Sequence, residues 1–420
     1  VNGHDCYVVT PGGPLEGSVA VSGAKNSALK LLAATLMVEG ESLVHNVPRI
    51  ADVEIMCDLL ISMGANISRT EETLRISTPE KVHPEAPYEL VERMRASIVV
   101  LGPLLTRHGR ARVSMPGGDN FGPRPIDMHL SGLEQLGASV DVAHGYVEAW
   151  AERLHGARIV LEFPSHTATD NLMMAAALAE GTTVIENAAR EPEVADLATF
   201  LNRMGARVAG AGTSTIEVEG VAELRPAEHT VIPDRVEAAT WLAAVGMARG
   251  EIVIDGARFE HMDMVIRKMG EFGMRISPTA DGLWAASTTR LKSADVSTLP
   301  YPGVATDYKP LLLTMLATAE GVAIVTENVF RDNRFAYVSE LNRMGADIRT
   351  ESHHAVVRGV ERLSGAQVKA HDLRAGVALV LAGLVADGET VVADAWHIDR
   401  GYDDFAGKLA RLGGQLHRIR

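Results

Sequence analysis

Hydrophobic and polar positions along this chain fall into a phrase that keeps returning. An Ala- and Leu-rich helical stretch ends at a glycine, and an alternating strand follows. The phrase reads "VEGESLVHNV" at Gly40, "RHGRARVSM" at Gly109, "AEGTTVIENA" at Gly181, "ARGEIVIDGA" at Gly250, "AEGVAIVTENV" at Gly321 and "ADGETVVADA" at Gly388. A second phrase, a helix end with a glycine turn and a β-branched strand, interleaves with it. It reads "LLISMGANI" at Gly64, "LEQLGASV" at Gly137, "LNRMGARV" at Gly205, "GEFGMRI" at Gly273, "LNRMGADI" at Gly345 and "LARLGGQL" at Gly413. Each glycine predicts a left-handed residue that stops a helix before a strand begins. Glycines of the second phrase stand about 70 residues apart, longer than a solenoid repeat and close to a small folding unit.

Six units of two helices plus several strands predict an α/β protein of two domains, three units each, because one unit's helices cannot be covered by its own few strands. The stretch "EHTVIPDRVEAATWLAAV" opens the fourth unit and places a crossing near Pro233. A run of ordinary βα elements with recurring glycine caps is the alternative, and six copies in phase argue against it. No GxGxxG follows a strand and opens a helix, and GxxxxGK[ST] and GxSxG are missing, which removes dinucleotide, P-loop and nucleophile-elbow readings.

Composition agrees with this size of core. The chain has 420 residues, 46% hydrophobic and 22% charged, enough for two domains. A formal charge of −14 argues against a nucleic-acid surface, so an anionic ligand would need a local island of Lys and Arg. The two cysteines, Cys6 and Cys57, have no metal-ligand or disulfide-framework spacing and read as buried or inert thiols. No apolar run reaches the roughly 18 residues of a membrane span, and the start "VNGHDCYVVTPGG" lacks signal-peptide order, so a cytoplasmic protein is expected.

Charged residues at strand-to-helix turns are the candidate chemistry. "SGAKNSALKLLAATLM" sets Lys25 and Asn26 before a helix, either as a ligand contact at its positive end or as a solvated lysine beside an Asn cap. "YELVERMRASIVVLGPLL" reads as one helix over 88–105 with Arg95 at its apolar boundary, as a surface snorkel or a ligand contact. "SMPGGDNFGPRPIDMH", residues 114–129, reads as a mobile glycine-rich loop in which Asp119 is an acid or a plain turn residue and Arg124 a phosphate grip. Asp307 in "YPGVATDYKPLLLTML" is either an N-cap or a functional carboxylate. Arg334, Asp372, Arg374, His397, Asp399, Arg400 and Lys408 occupy equivalent turns. Lys25, Arg95, Arg124, Arg334, Arg374 and Arg400 together would make a cationic pocket for phosphates and carboxylates.

The runs "GAKNSAL", "RMRASIVVLGPL", "PGGDNFGPRPIDMHLSGLEQLGA", "ENAAREPEV", "TENVF" with "NRF", "HDLRAGVALVLAGL" and "HIDRGYDD" resemble the UDP-N-acetylglucosamine enolpyruvyl transferase family over essentially the full length. The resemblance implies two inverse α/β-barrel domains, residues 1–22 with 234–420 and residues 23–233, with the site in the cleft. It implies transfer of the enolpyruvyl group of phosphoenolpyruvate to a sugar 3-hydroxyl by addition and elimination, with no metal or organic cofactor. Residue by residue, Lys25, Arg95, Arg124, Arg374 and Arg400 resemble the phosphoenolpyruvate contacts. Asn26, Asp307 and Val329 resemble the acceptor contacts, with Asp307 the base. Arg124, Pro125, Ile126, Asp127 and Met128 resemble the uridine edge, and Ser165, His166 and Thr167 fall in the segment that meets the diphosphate. Arg334 resembles an arginine that helps closure. Asp119 stands where most of the family has the Cys general acid, which implies that the epoxide fosfomycin would not alkylate it.

Three departures bear on the acceptor. "SHTATDN" replaces the family's S-V-G-A-T-E-N, Lys309 stands where an uncharged Gln is usual, and "FRDNRF" carries one extra residue before Arg334. They leave two acceptors open, UDP-N-acetylglucosamine or another uridine nucleotide such as UMP at its 3′-hydroxyl. A non-catalytic nucleotide-sugar binding protein would be expected to lose Lys25, Arg124 or Arg400, and all three are present.

Overall fold

The computed structural model describes residues 5–115, 126–330 and 334–420. The described chain divides into two compact units. One holds the residues up to Ser22 with Pro233–Arg420, and the other the residues from Gly23 to Ile232.

Each unit contains three four-stranded sheets with one wiring. In the first sheet of the Gly23 to Ile232 unit, Glu228–Thr230 runs parallel to Gly40–His45, which pairs antiparallel with Thr73–Thr78, itself antiparallel to Asn66–Thr70. The same parallel, antiparallel, antiparallel order recurs in the sheets built on Arg110–Ser114 and Thr182–Glu186. It recurs again in the other unit on Gly250–Asp255, Val322–Thr326 and Thr390–Ala393. Two of these last three sheets take a strand from the start of the chain, Leu15–Ala20 and Cys6–Thr10. That borrowing makes the unit discontinuous in sequence.

All twelve glycines of the two phrases have positive φ, from 69° at Gly109 to 115° at Gly321. At Gly250 a Cβ would also stand 2.0 Å from the Leu15 carbonyl oxygen, so both backbone strain and the neighbouring strand exclude a side chain.

Helices buried on most sides form the cores. In one unit Lys25–Ala34, Leu101–His108 and His166–Ala176 are buried along most of their length. In the other, Arg235–Ala248, Lys309–Ala317 and Leu373–Leu384 pack against one another and are buried almost throughout. The helix expected over 88–105 is instead three pieces: Tyr88–Val91, a 3-10 turn over Arg95–Val100, and Leu101–His108. Pro103 has no N–H to donate and is tolerated only in a first turn, so the α-helix begins just before it.

Each end of the chain crossing is tied down by a buried carboxylate. Asp196 accepts from Ser27 Oγ at 2.5 Å, His229 Nε2 at 2.8 Å and the Ile232 N–H at 3.3 Å. Glu237 accepts from the Ser22 N–H at 2.9 Å and from Lys408 Nζ at 2.5 Å, and Lys408 also donates to Ser22 Oγ. Cys6 and Cys57 are free and buried, and burial pushes the Cys57 thiol up to about 12, which leaves it inert. Among the described residues no helix is long and apolar enough to cross a membrane, and no group of three or more His, Cys, Asp or Glu could hold a metal ion.

Candidate active site

In the Gly23 to Ile232 unit the chemistry gathers at helix starts. Lys25 is the first residue of helix Lys25–Ala34; the cap position is Ala24, with no side-chain cap bond. The Lys25 ammonium is buried against Asp52 at 2.6 Å, so it is neither solvated nor beside an Asn cap. Asn26, the next residue, is half-buried. Arg95 opens the 3-10 turn and is half-buried, and burial pushes its guanidinium down to about 10, still a full cation at neutral pH.

Ser165 caps helix His166–Ala176, its hydroxyl accepting from the Ala168 N–H at 3.4 Å. His166 Nε2 lies 3.0 Å from Lys30 Nζ and 3.4 Å from Asp170 Oδ2, and Lys30 reaches the same carboxylate at 3.2 Å. Thr167 Oγ1 is 3.3 Å from His129 Nε2. The amide nitrogen of Asn171 donates to His129 Nδ1 at 3.0 Å, which leaves Nε2 as the protonated nitrogen that donates to Thr167. Burial pushes the His129 imidazole down to about 3, with Arg95 acting in the same direction, so the ring is neutral and this tautomer is fixed. Asn171 Oδ1 accepts from the Gly102 N–H at 2.6 Å, an approach open only to glycine because a Cβ there would stand 2.4 Å from the Asn171 carbonyl oxygen.

Burial pushes the Asp170 carboxyl up to about 7 from 3.8, with Glu191 and Glu193 adding to it and Lys30 opposing. A carboxyl that holds its proton more tightly when folded stabilises the fold below its unfolded value and loses that contribution as pH rises through the folded one. The contribution of Asp170 to the unfolding free energy is therefore expected to fall between pH 4 and 7. Asp170→Asn is expected to flatten that part of the profile, read by urea denaturation at each pH, and an unchanged slope would mean that Asp170 is ionised throughout.

In the other unit the starts of three buried helices come together. Arg235 donates from Nη1 to the Tyr308 hydroxyl at 3.0 Å, and Arg374 Nε lies 3.5 Å from Asp307 Oδ2. Arg374 Nη1 also donates to the Tyr402 hydroxyl at 3.2 Å. Burial works against the Arg374 charge, but Tyr402, Asp307 and Asp234 outweigh it and hold the guanidinium firmly protonated. Asp307 lies in the 3-10 turn Thr306–Tyr308 and caps no helix. The cap of helix Leu373–Leu384 is Asp372, which accepts from the Arg374 and Ala375 N–H groups, both at 2.8 Å. Arg400, at the end of Trp396–Asp399, is buried. Val329 is half-buried, and the Arg334 guanidinium lies 4.2 Å over the Phe330 ring. Helix N-termini with buried cations beside them favour phosphate and carboxylate groups.

Asp119, Arg124 and Pro125 lie outside the described residues. Of the uridine-edge residues, Ile126 is buried, while Asp127 and Met128 open helix Asp127–Gln135 with Asp127 exposed. Lys309, expected as a change at the acceptor, has its ammonium fully buried and paired with Glu327 at 2.8 Å, so it offers no direct contact to a substrate. Asp52, Lys30, Asp170, Tyr402 and Glu327 went unread in the sequence. Asp52, Lys30 and Asp170 sit in ordinary helix patterns, Glu327 and Tyr402 in short connections, and only the tertiary contact marks them.

The described residues thus make an α/β protein of six like-wired sheets, with cations and carboxylates at the starts of its buried helices. The chain belongs to the EPSP synthase (3-phosphoshikimate 1-carboxyvinyltransferase) family, whose sequence profile matches residues 9–409. It is 49% identical to UDP-N-acetylglucosamine 1-carboxyvinyltransferase 1 of Caldanaerobacter subterraneus, over 98% of this chain and 99% of that one. It is 50% identical to UDP-N-acetylglucosamine 1-carboxyvinyltransferase of Mycolicibacterium paratuberculosis, over 98% and 99%. The crystal structure of the enolpyruvyl transferase NikO from Streptomyces tendae superposes with a TM-score of 0.90 at 26% identity, covering 99% of both chains.

Proposed function

We propose that this enzyme transfers the enolpyruvyl group of phosphoenolpyruvate to the 3-hydroxyl of UDP-N-acetylglucosamine and releases phosphate, a step toward peptidoglycan. The observation that carries this reading is near 50% identity, across almost the whole chain, to transferases named for that acceptor. The paired cations at helix starts support it, because phosphoenolpyruvate brings a phosphate and a carboxylate that need them.

Lys25, Arg95, Arg124, Arg374 and Arg400 hold those two anionic groups. Asp307 takes the proton of the acceptor hydroxyl as its oxygen bonds to C2, while the carboxyl of Asp119 delivers a proton to C3. The resulting ketal then loses a proton from C3 as the C2–O bond to phosphate breaks, which restores the double bond and frees phosphate. Asn26 and Val329 orient the sugar, Ile126, Asp127 and Met128 with Arg124 and Pro125 meet the uridine, and Ser165, His166 and Thr167 meet the diphosphate. Arg334 assists closure. Both substrates are charged phosphorylated metabolites that do not cross a membrane unaided, so the reaction belongs to the cytoplasm.

The test is phosphate release from phosphoenolpyruvate with UDP-N-acetylglucosamine, UMP, UDP or shikimate 3-phosphate in parallel, with products identified by mass. Release with the amino sugar nucleotide and a product heavier by the enolpyruvyl group is expected. Release with UMP alone would overturn the acceptor and make His166 the residue to examine for specificity.

A further inference from the structure

Glu327 directly follows strand Val322–Thr326 with only 2% of its side chain exposed, yet it is among the most heavily hydrogen-bonded carboxylates described in the chain. Its Oε1 accepts from Thr298 Oγ1 at 2.7 Å, from the Val329 N–H at 2.9 Å and from the Phe330 N–H at 3.2 Å. Its Oε2 accepts from Thr306 Oγ1 at 2.8 Å and faces Lys309 Nζ at 2.8 Å. Thr298 Oγ1 in turn accepts from the Asn328 N–H at 3.0 Å. One carboxylate thus ties together two short segments. Residues 306–309 hold Asp307, and residues 328–330 hold Val329.

Lys309 closes the arrangement. Its ammonium is 1% exposed and lies 3.9 Å from the centre of the Phe335 ring. A buried carboxylate with a matched cation and four hydrogen-bond donors has its charge satisfied from every side, and charge-assisted bonds of this kind fix geometry more tightly than neutral ones.

We propose that the Glu327–Lys309 pair is a positioning device for the acceptor, holding the Asp307 turn and the Val329 backbone at a set separation. The inference rests on the reading of Asp307 and Val329 as acceptor contacts. Neither Glu327 nor Lys309 touches substrate in this account; both act through the segments they join. The device also gives acceptor binding a pH dependence. Burial pushes the Lys309 ammonium down to about 8, Arg334 adds to this, and Glu327 and Asp372 oppose it. Glu327 and Tyr337 are the other titratable groups close by; burial raises Tyr337 further from its ionising range, and the attraction of Lys309 holds Glu327 ionised against burial. As pH rises through about 8, Lys309 loses its charge, the pair weakens and the two segments loosen.

The test compares Lys309→Met, which fills the space without a donor, with Lys309→Gln, which restores a neutral donor to Glu327. Either change takes the cation from Glu327, and stranding a buried carboxylate costs stability whether or not the pair positions the acceptor, so stability does not discriminate. A positioning role is read in the acceptor KM alone, with Met worse than Gln. Lys309→Met is expected to raise the UDP-N-acetylglucosamine KM about tenfold, with the phosphoenolpyruvate KM within about twofold, and Lys309→Gln to keep the acceptor KM within about threefold. The wild-type acceptor KM is expected to climb above pH 8, and this rise is expected to vanish in Lys309→Gln. Should Lys309→Met fail to fold, Thr306→Val removes one hydroxyl of the same link and is expected to raise the acceptor KM about threefold. Equal acceptor KM values in Met, Gln and wild type, with no rise above pH 8, would overturn the proposal. Asp307→Ala separates the two layers of the argument: inactive Asp307→Ala beside a silent Lys309→Met sinks the positioning role alone. Unimpaired Asp307→Ala sinks the acceptor reading and the positioning role with it.

Discussion

Lys25→Ala is expected to lower kcat/KM for phosphoenolpyruvate by about a thousandfold, since a buried cation against a substrate anion is a charge-assisted contact whose loss strands that anion in a site of low polarity. The same change takes the ammonium from Asp52, which is only 1% exposed, and breaking such a buried pair costs on the order of 3 kcal/mol of stability. The two losses can be told apart. A Lys25→Ala/Asp52→Ala double variant removes the stranded carboxylate, so it is expected to recover much of the stability and none of the activity. Urea denaturation and steady-state kinetics on the two variants check this. Recovery of kcat/KM in the double variant would show that Lys25 matters to the fold alone.

The second large effect is expected at Asp119. Asp119→Asn keeps the shape of the side chain and removes the transferable proton, so turnover is expected to fall by about 100- to 10,000-fold, the usual worth of a positioned general acid. Binding of both substrates is expected to persist, because the amide changes no cation in the site. The carboxyl also lacks the nucleophilicity of a thiolate, so incubation with fosfomycin is expected to leave activity constant over time. Turnover of Asp119→Asn within a few fold of wild type would place the acid elsewhere, and time-dependent loss with fosfomycin would point to a different nucleophile.

What the sequence makes legible here is what local physics controls. Gly40, Gly64 and their ten counterparts can be read because each must turn a left-handed corner that other residues resist, and all twelve do so. The like-wired sheets follow, since each glycine starts a strand in the same phase. The segment 88–105 is misread because an apolar run has the same period whether it forms one helix or three pieces, and Pro103 decides between them through a missing N–H.

Lys25, Asp307, Arg374 and Arg400 are visible as charges at turns, but their partners are not. Asp52 looks like any acid in the first turn of a helix, and its pairing with Lys25 depends on two helices meeting. Glu327 follows a strand whose own pattern is ordinary, and its role emerges only when Thr298, Thr306 and Lys309 converge on it. The same limit explains Lys309. A lysine two residues after Asp307 reads as a change at the acceptor until its burial against Glu327 and Phe335 is seen.

The central claim is addition to C2 followed by loss of phosphate, and the bond that breaks tests it directly. Phosphoenolpyruvate carrying ¹⁸O in the oxygen between C2 and phosphorus would be turned over with UDP-N-acetylglucosamine, and the released phosphate analysed by mass. Elimination from a C2 ketal cleaves the carbon–oxygen bond, so the label is expected in phosphate, with unlabelled enolpyruvyl ether formed in equal amount. Label retained in the organic product would mean attack at phosphorus, and it would contradict enolpyruvyl transfer.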